Sequence, residues 1–251
     1  VGGISWLAHG TLLSGLWINS QLRYDSLVLS ERPTLNRLLK ELVDSNLLMR
    51  AEGKRYFLGH FAYELGLSAA AHFHLRDMCA PYLERVAKET GDTVFMVVRS
   101  GSDSFCLDRK TGAYQVKVFS VEVGNRQPLG VGAGGLALLS WLSESERDVL
   151  IDKMAPQLAA YGGLTTRRLR GLVTQARKLG HSLIADFAIE GVTGIGLPVL
   201  DRVGQPILAI SVTAISPRMT SAHQAEVLRV LQREVARLQD MLNQTAPALR
   251  K

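Results

Sequence analysis

Residues 32–59 read RPTLNRLLKELVDSNLLMRAEGKRYFLG, and the fold class turns on this stretch. Leu35, Leu38, Leu39, Leu42 and Val43 recur at the i, i+3, i+4, i+7, i+8 spacing of one helical face. Pro33 falls in the first turn, where a missing N–H costs little. Thr34, Asn36, Arg37 and Lys40 occupy the opposite, polar face. Beyond Asn46, Leu47–Arg50 and Arg55–Leu58 suit two short strands, with Gly53 in the turn between them. A polar-faced helix followed at once by a small hairpin is the plan of a winged helix-turn-helix. In that plan the helix enters a major groove and the wing follows the backbone. Arg37 and Lys40 have the reach for base edges or phosphates, Thr34 and Asn36 can make shorter contacts, and Arg50, Lys54 and Arg55 are phosphate candidates.

The remainder of the chain bounds this reading. Its 251 residues allow two domains, and 47% hydrophobic residues exclude a disordered chain. No apolar run approaches the roughly 20 residues of a membrane span. The N-terminal stretch lacks the charged start and cleavage site of a secretory signal, so a cytoplasmic location is expected. The start at Val1, without an initiator methionine, leads us to expect missing residues before it. Two cysteines, Cys79 and Cys106, offer neither a disulfide framework nor a cysteine zinc site. A net charge of +6 is compatible with a nucleic-acid partner without establishing one, because residues 1–59 hold seven Arg/Lys against five Asp/Glu.

Downstream, residues 60–74 read as a Leu- and Ala-rich linker helix. Leu75, Met78, Cys79, Tyr82, Leu83, Val86 and Ala87 mark another amphipathic helix, closed by Gly91. Strands are expected at 93–99, 104–109 and 115–123, helices at 133–142, 144–154 and 167–179, and strands again at 181–188, 194–200 and 206–213. A helix from Ser221 to about Gln244 ends the chain. The expected second domain is α+β, with about six antiparallel strands and helices covering one face.

Gly130, Gly132 and Gly135 satisfy G-x-G-x-x-G, but the dinucleotide reading fails. No strand leads straight into the first glycine, and Asp152 lies inside a helical pattern rather than at a strand end. What remains is a glycine-rich loop opening onto a helix N-terminus, which presents free N–H groups to an anion. The alternative is tight helix–sheet packing that needs no side chain. Ser211 and Thr213, two apart on one strand, share a face. His72 and His74 point apart on a helix and make a poor metal pair. No Ser-His-Asp set, paired carboxylates or G-x-S-x-G elbow stands out, so neither an enzyme, a cofactor nor a metal is expected. The rival reading is a small-molecule metabolic enzyme with an accessory N-terminal domain.

Three ordered blocks, at 34–50 with 54–59, at 126–142 (RQPLGVGAGGLALLSWL) and at 190–218 (EGVTGIGLPVLDRVGQPILAISVTAISPR), resemble the isocitrate-lyase-regulator (IclR) family of transcription factors. The resemblance implies a winged helix-turn-helix for operator DNA in residues 1–59, a linker helix at 60–74, and an effector-binding and oligomerisation domain at 75–251. It further implies homodimers or homotetramers and a small carboxylate or aromatic acid as effector. By motif alignment the family's pocket falls on Val116, Phe119, Gln127, Ala133, Gly134, Ile184, Val192, Gly194, Ser211 and Thr213, with Asp186 and Arg126 as polar supplements. Relatives can carry an acidic residue where Ile184 stands, which points to a more apolar ligand here. Relatives also show a first and second helix before the recognition helix, joined by an Ala-x-x-x-Gly-like turn. Here Tyr24–Ser30 is short, rich in Leu and Val, and lacks the turn glycine.

Overall fold

The computed structural model describes residues 17–18, 32–52, 55–70 and 74–245. It divides into two compact units, 1–74 and 75–251. Tyr24–Ser30, Lys54 and His72 lie outside the described residues. Among those described, no helix is long and apolar enough to cross a membrane.

The first unit holds strand β1 (Trp17–Ile18), helix α1 (Arg32–Asp44), strands β2 (Leu48–Ala51) and β3 (Arg55–Leu58), and helix α2 (His60–Ala70). The strands form an antiparallel sheet in the order β1-β3-β2. Asn46, at φ 57°, ends α1 in the left-handed conformation and turns the chain into β2. Gly59 donates its N–H to Leu47 O, and a Cβ there would stand 2.0 Å from Asn46 O. That junction therefore requires glycine. On α1, Leu35, Leu39 and Val43 are half-buried, whereas Leu38 and Leu42 are exposed, so the buried stripe is narrower than the five-residue pattern suggests.

The second unit runs α3 (Leu75–Thr90), β4 (Thr93–Ser100), β5 (Asp103–Thr111), β6 (Arg126–Pro128), α4 (Ala133–Ser140), α5 (Glu144–Leu158), α6 (Thr166–Leu179), β7 (Ser182–Ala185), β8 (Val192–Leu200), β9 (Pro206–Ile215) and α7 (Ser221–Thr245). Its six strands form one antiparallel sheet ordered β6-β5-β4-β9-β8-β7.

Two expectations are corrected here. Helices cover both faces of the sheet rather than one. Phe95, Val97 and Ala209 pack with α4, α5 and α6, while Val94, Met96, Ile210 and Val212 pack with α3 and α7. The reason is visible in β4 and β9, whose apolar residues run consecutively instead of alternating, as strands buried on both sides require. Secondly, residues 115–123 form a loop. Side chains hold it where a ladder was expected: Thr93 Oγ1 accepts from Val118 N at 3.2 Å, and Lys117 donates to the carbonyls of Gly112 and Tyr114. The strand that does pair with β5 is β6.

Buried carboxylates clamp α7 to the rest of this unit. Glu234 on α7, fully buried, accepts from Arg85 of α3 at 2.7 Å and from Arg233 and Arg237. Burial by itself raises the Glu234 pKa, and the hydrogen bonds from Arg85 and Arg233 more than offset this, holding it below its ordinary value near 4.5. A depressed folded-state pKa gives stability that is present above the unfolded value and lost as pH falls through the folded one. Unfolding free energy is therefore expected to drop as pH falls below about 4.5. The drop should be shallower in Glu234→Gln, as followed by urea denaturation at stepped pH. An equal slope in both proteins would refute the assignment.

Candidate functional site

The glycine-rich loop and the face of β8 and β9 meet at the start of α4. Gly132 is the N-cap of α4 and supplies no capping side chain. Among the described residues the first-turn amides of Ala133, Gly134 and Gly135 have no protein acceptor, as the opening of a helix leaves them. Glycines let this helix end sit close to the sheet. A Cβ on Gly134 would stand 2.7 Å from Val97 Cγ2 and 3.2 Å from Ser211 Oγ, and one on Gly196 would stand 2.7 Å from Ala133 O. Tight packing and unpaired amides are thus one arrangement, not alternatives.

Beside this junction lies a cavity of about 40 Å³ that opens to solvent. Its lining contains Gln127, Ala133, Gly134, Ile184, Asp186, Val192, Gly194, Ser211 and Thr213, nine residues singled out from the sequence. Val116 and Phe119 are not among them. Both are exposed on the 112–125 loop, and the Arg109 guanidinium covers the Phe119 ring at 4.1 Å. From the same loop Ser120 and Val121 face the cavity instead, with Gln127 Nε2 donating to Ser120 O at 3.0 Å. Arg126 does not line it either, and lies over the Phe105 ring. The sequence reading missed the apolar walls Phe95, Val97, Phe187 and Ile189. For Phe95 and Val97 a signal existed, since they alternate along β4 on the face that carries Ser211 across the pairing.

Ser211 and Thr213 are the chemically distinctive members. They are 3% and 7% exposed, and among the described residues neither hydroxyl has a protein partner. The nearby Ser182 hydroxyl, by contrast, donates to Ala133 O at 2.7 Å, and that of Ser104 to Gln127 O. Buried hydroxyls are normally satisfied, so two unpaired ones against free amides mark a place built for acceptors. Asp186, at φ 66°, turns the chain from β7 into the 186–191 loop, and its Oδ1 accepts from Gly191 N at 2.8 Å.

Residues 67–239 match the family described as bacterial transcriptional regulator IclR, C-terminal. The chain belongs to the IclR family. It is 25% identical to the HTH-type transcriptional regulator XynR of Escherichia coli over 207 residues, 80% of each chain. It is 26% identical to the HTH-type transcriptional repressor AllR of Escherichia coli over 174 residues, covering 66% of this chain and 64% of that protein. The crystal structure of an IclR homologue from Microbacterium hydrocarbonoxydans, complexed with 4-hydroxybenzoate, shares the fold with a TM-score of 0.64 and 24% identity. That likeness covers 83% of this chain and 84% of the other.

In this IclR-family chain the N-terminal candidates Thr34, Asn36, Arg37 and Lys40 are all exposed on α1. Arg50 on β2 and Arg55 on β3 are exposed too, with Arg55 Nε donating to Glu52 O at 3.2 Å. The described residues hold no group of three or more His, Cys, Asp or Glu able to bind a metal ion. The thiols of Cys79 and Cys106 are buried, and burial pushes both pKa values up to about 12, so neither is a ready nucleophile.

Proposed function

We propose that this IclR-family chain is a ligand-responsive DNA-binding regulator whose second unit binds a small organic acid. Residues 1–59 serve as the winged helix-turn-helix, 60–74 as the linker helix and 75–251 as the effector-binding domain. The reading is carried by the pair of buried, unpartnered hydroxyls on Ser211 and Thr213, set beside the free amides of α4. A carboxylate accepts several hydrogen bonds and donates none, which suits that donor set. Phe95, Val97, Ile184 and Phe187 supply apolar walls, and favour an aromatic acid over a two- or three-carbon one. The 4-hydroxybenzoate held by the Microbacterium protein is an acid of that class.

Thermal unfolding in the presence of single acids tests this, because a ligand of the native state raises Tm by mass action. Benzoate-type acids are expected to raise Tm more than glyoxylate or pyruvate at equal concentration. Equal or absent shifts across both groups would sink the proposal.

Two further expectations concern DNA and assembly. We propose base reading for Arg37, exposed on the polar face of α1, so Arg37→Ala should weaken specific operator binding by about 1–3 kcal/mol. Gel shifts on the native promoter and on random duplex would separate this loss from a general phosphate effect; wild-type affinity in the variant would remove the role. On α2, Phe61 and Leu65 are exposed on one face and Tyr63 and Leu67 on the opposite one, and a partner copy would cover the Phe61–Leu65 face. Light scattering is expected to give at least twice the 27.5 kDa chain mass, and a monomer at micromolar concentration would contradict it.

A further inference from the structure

The charge inventory of the cavity is one-sided. Among the described residues Asp186 is the one charged side chain in its lining, and no Lys, Arg or His joins it. Nor are polar donors abundant. Ser104 is committed to Gln127 O, and the Gln127 amide to Ser120 O. The buried free donors, the hydroxyls of Ser211 and Thr213, sit together with the first amides of α4, and apart from them the half-buried Ser120 hydroxyl lines the cavity. Such a set matches the lone pairs of a single carboxylate group. Asp186 itself is exposed, at the start of the 186–191 loop, where the cavity reaches solvent. One of its oxygens is engaged by Gly191 N, and no hydrogen bond is made to the other.

We infer that Asp186 acts as a charge selector, restricting this cavity to monocarboxylates and rejecting ligands that carry a second anionic group. The inference rests on the carboxylate reading of the cavity given above. A second carboxylate meets two obstacles. It finds no cation among the described lining residues to replace its water, and it approaches a like charge at Asp186. Like charges within about 4–6 Å disfavour one another strongly when partly shielded from solvent. Exposure of Asp186 means that the second effect, unlike the first, is screened by salt.

Asp186→Asn separates these effects from folding. Asparagine keeps an acceptor for Gly191 N and tolerates the left-handed backbone, so the turn survives while the charge is removed. Benzoate and benzene-1,4-dicarboxylate serve as probes, titrated calorimetrically into the full chain at about 0.05 M and 0.5 M salt. The wild type is expected to prefer benzoate by at least about tenfold at low salt, and Asp186→Asn to narrow that preference at least about threefold. Raising salt should narrow the preference in the wild type and change it little in the variant. Equal affinity of the wild type for both acids would overturn the inference, as would an unchanged ratio in Asp186→Asn. Either result leaves the carboxylate cavity standing provided benzoate binds. If neither acid registers with either protein, the carboxylate reading falls and the inference falls with it.

Discussion

Ser211→Ala combined with Thr213→Val is expected to lower affinity for a benzoate-type acid by at least about tenfold. The two substitutions nearly conserve volume and remove both hydroxyls that line the cavity without protein partners. A hydrogen bond to a charged group contributes roughly 1.5–3 kcal/mol, so losing two lies well outside the error of a titration. Because no protein group depends on these hydroxyls, stability without ligand should hold or rise slightly, as burying an unsatisfied polar group is itself costly. Ligand-free operator binding should persist, since the α1 candidates belong to the other unit. Calorimetry and a gel shift on both proteins supply the numbers. Undiminished acid affinity would put the binding site elsewhere, whereas a fall in ligand-free Tm of several degrees would show that the hydroxyls serve the fold.

Arg218→Ala should produce the largest stability loss of any single change considered. Asp92, 2% exposed, receives Arg218 Nε at 2.5 Å and lies 2.6 Å from His223 Nε2. The same guanidinium donates to Thr90 O at 2.9 Å and covers the Tyr114 ring at 3.9 Å. It thereby ties the end of α3, the loop after β5 and the start of α7 together. Removing the arginine leaves the buried Asp92 carboxylate with His223 alone, at a cost of up to about 3–5 kcal/mol. For a unit of this size that corresponds to roughly 6–20 °C in Tm. Asp92→Asn with Arg218→Met removes both charges and keeps an acceptor for His223. It should recover at least about half of the loss, since neutral replacement of a buried pair is often tolerated. A double variant no more stable than Arg218→Ala would assign the effect to lost packing on Tyr114 instead.

Much of this molecule was legible wherever the controlling interactions are local. The α1 stripe, the left-handed stop at Gly180, the shared face of Ser211 and Thr213 and the glycines before α4 all express spacing within a few residues. Failures fall where distant segments decide. The run Gln115–Val123 alternates like a strand, yet it joins no ladder; the short β6 pairs with β5 over Asp103–Phe105 instead. Side-chain anchors from Thr93 and Lys117 then set its path, and with that path Val116 and Phe119 turn away from the cavity. Phe187 escaped notice because it was read as part of a longer β7. The left-handed Asp186 ends that strand early and redirects the following residues over the cavity. The second helical layer was missed for a related reason: an unbroken apolar strand says that both faces are covered, but not by what.

The pairing order of the sheet also has a temporal meaning. β4 lies between β5, which follows it immediately, and β9, with Phe95 opposite Ser211 across 116 residues of chain. During synthesis at about 5–20 residues per second, the β4–β5 hairpin is complete on the order of 5 to 20 s before its other neighbour exists. Throughout that interval the β4 edge and its apolar faces await α4, β8, β9 and α7, while the N-terminal unit already has its whole sequence. Closing so long a loop places this domain among slow-folding topologies. The cell's holding chaperones therefore have a natural substrate in the half-made chain, and yield on expression should respond to translation rate more than to changes on the finished surface.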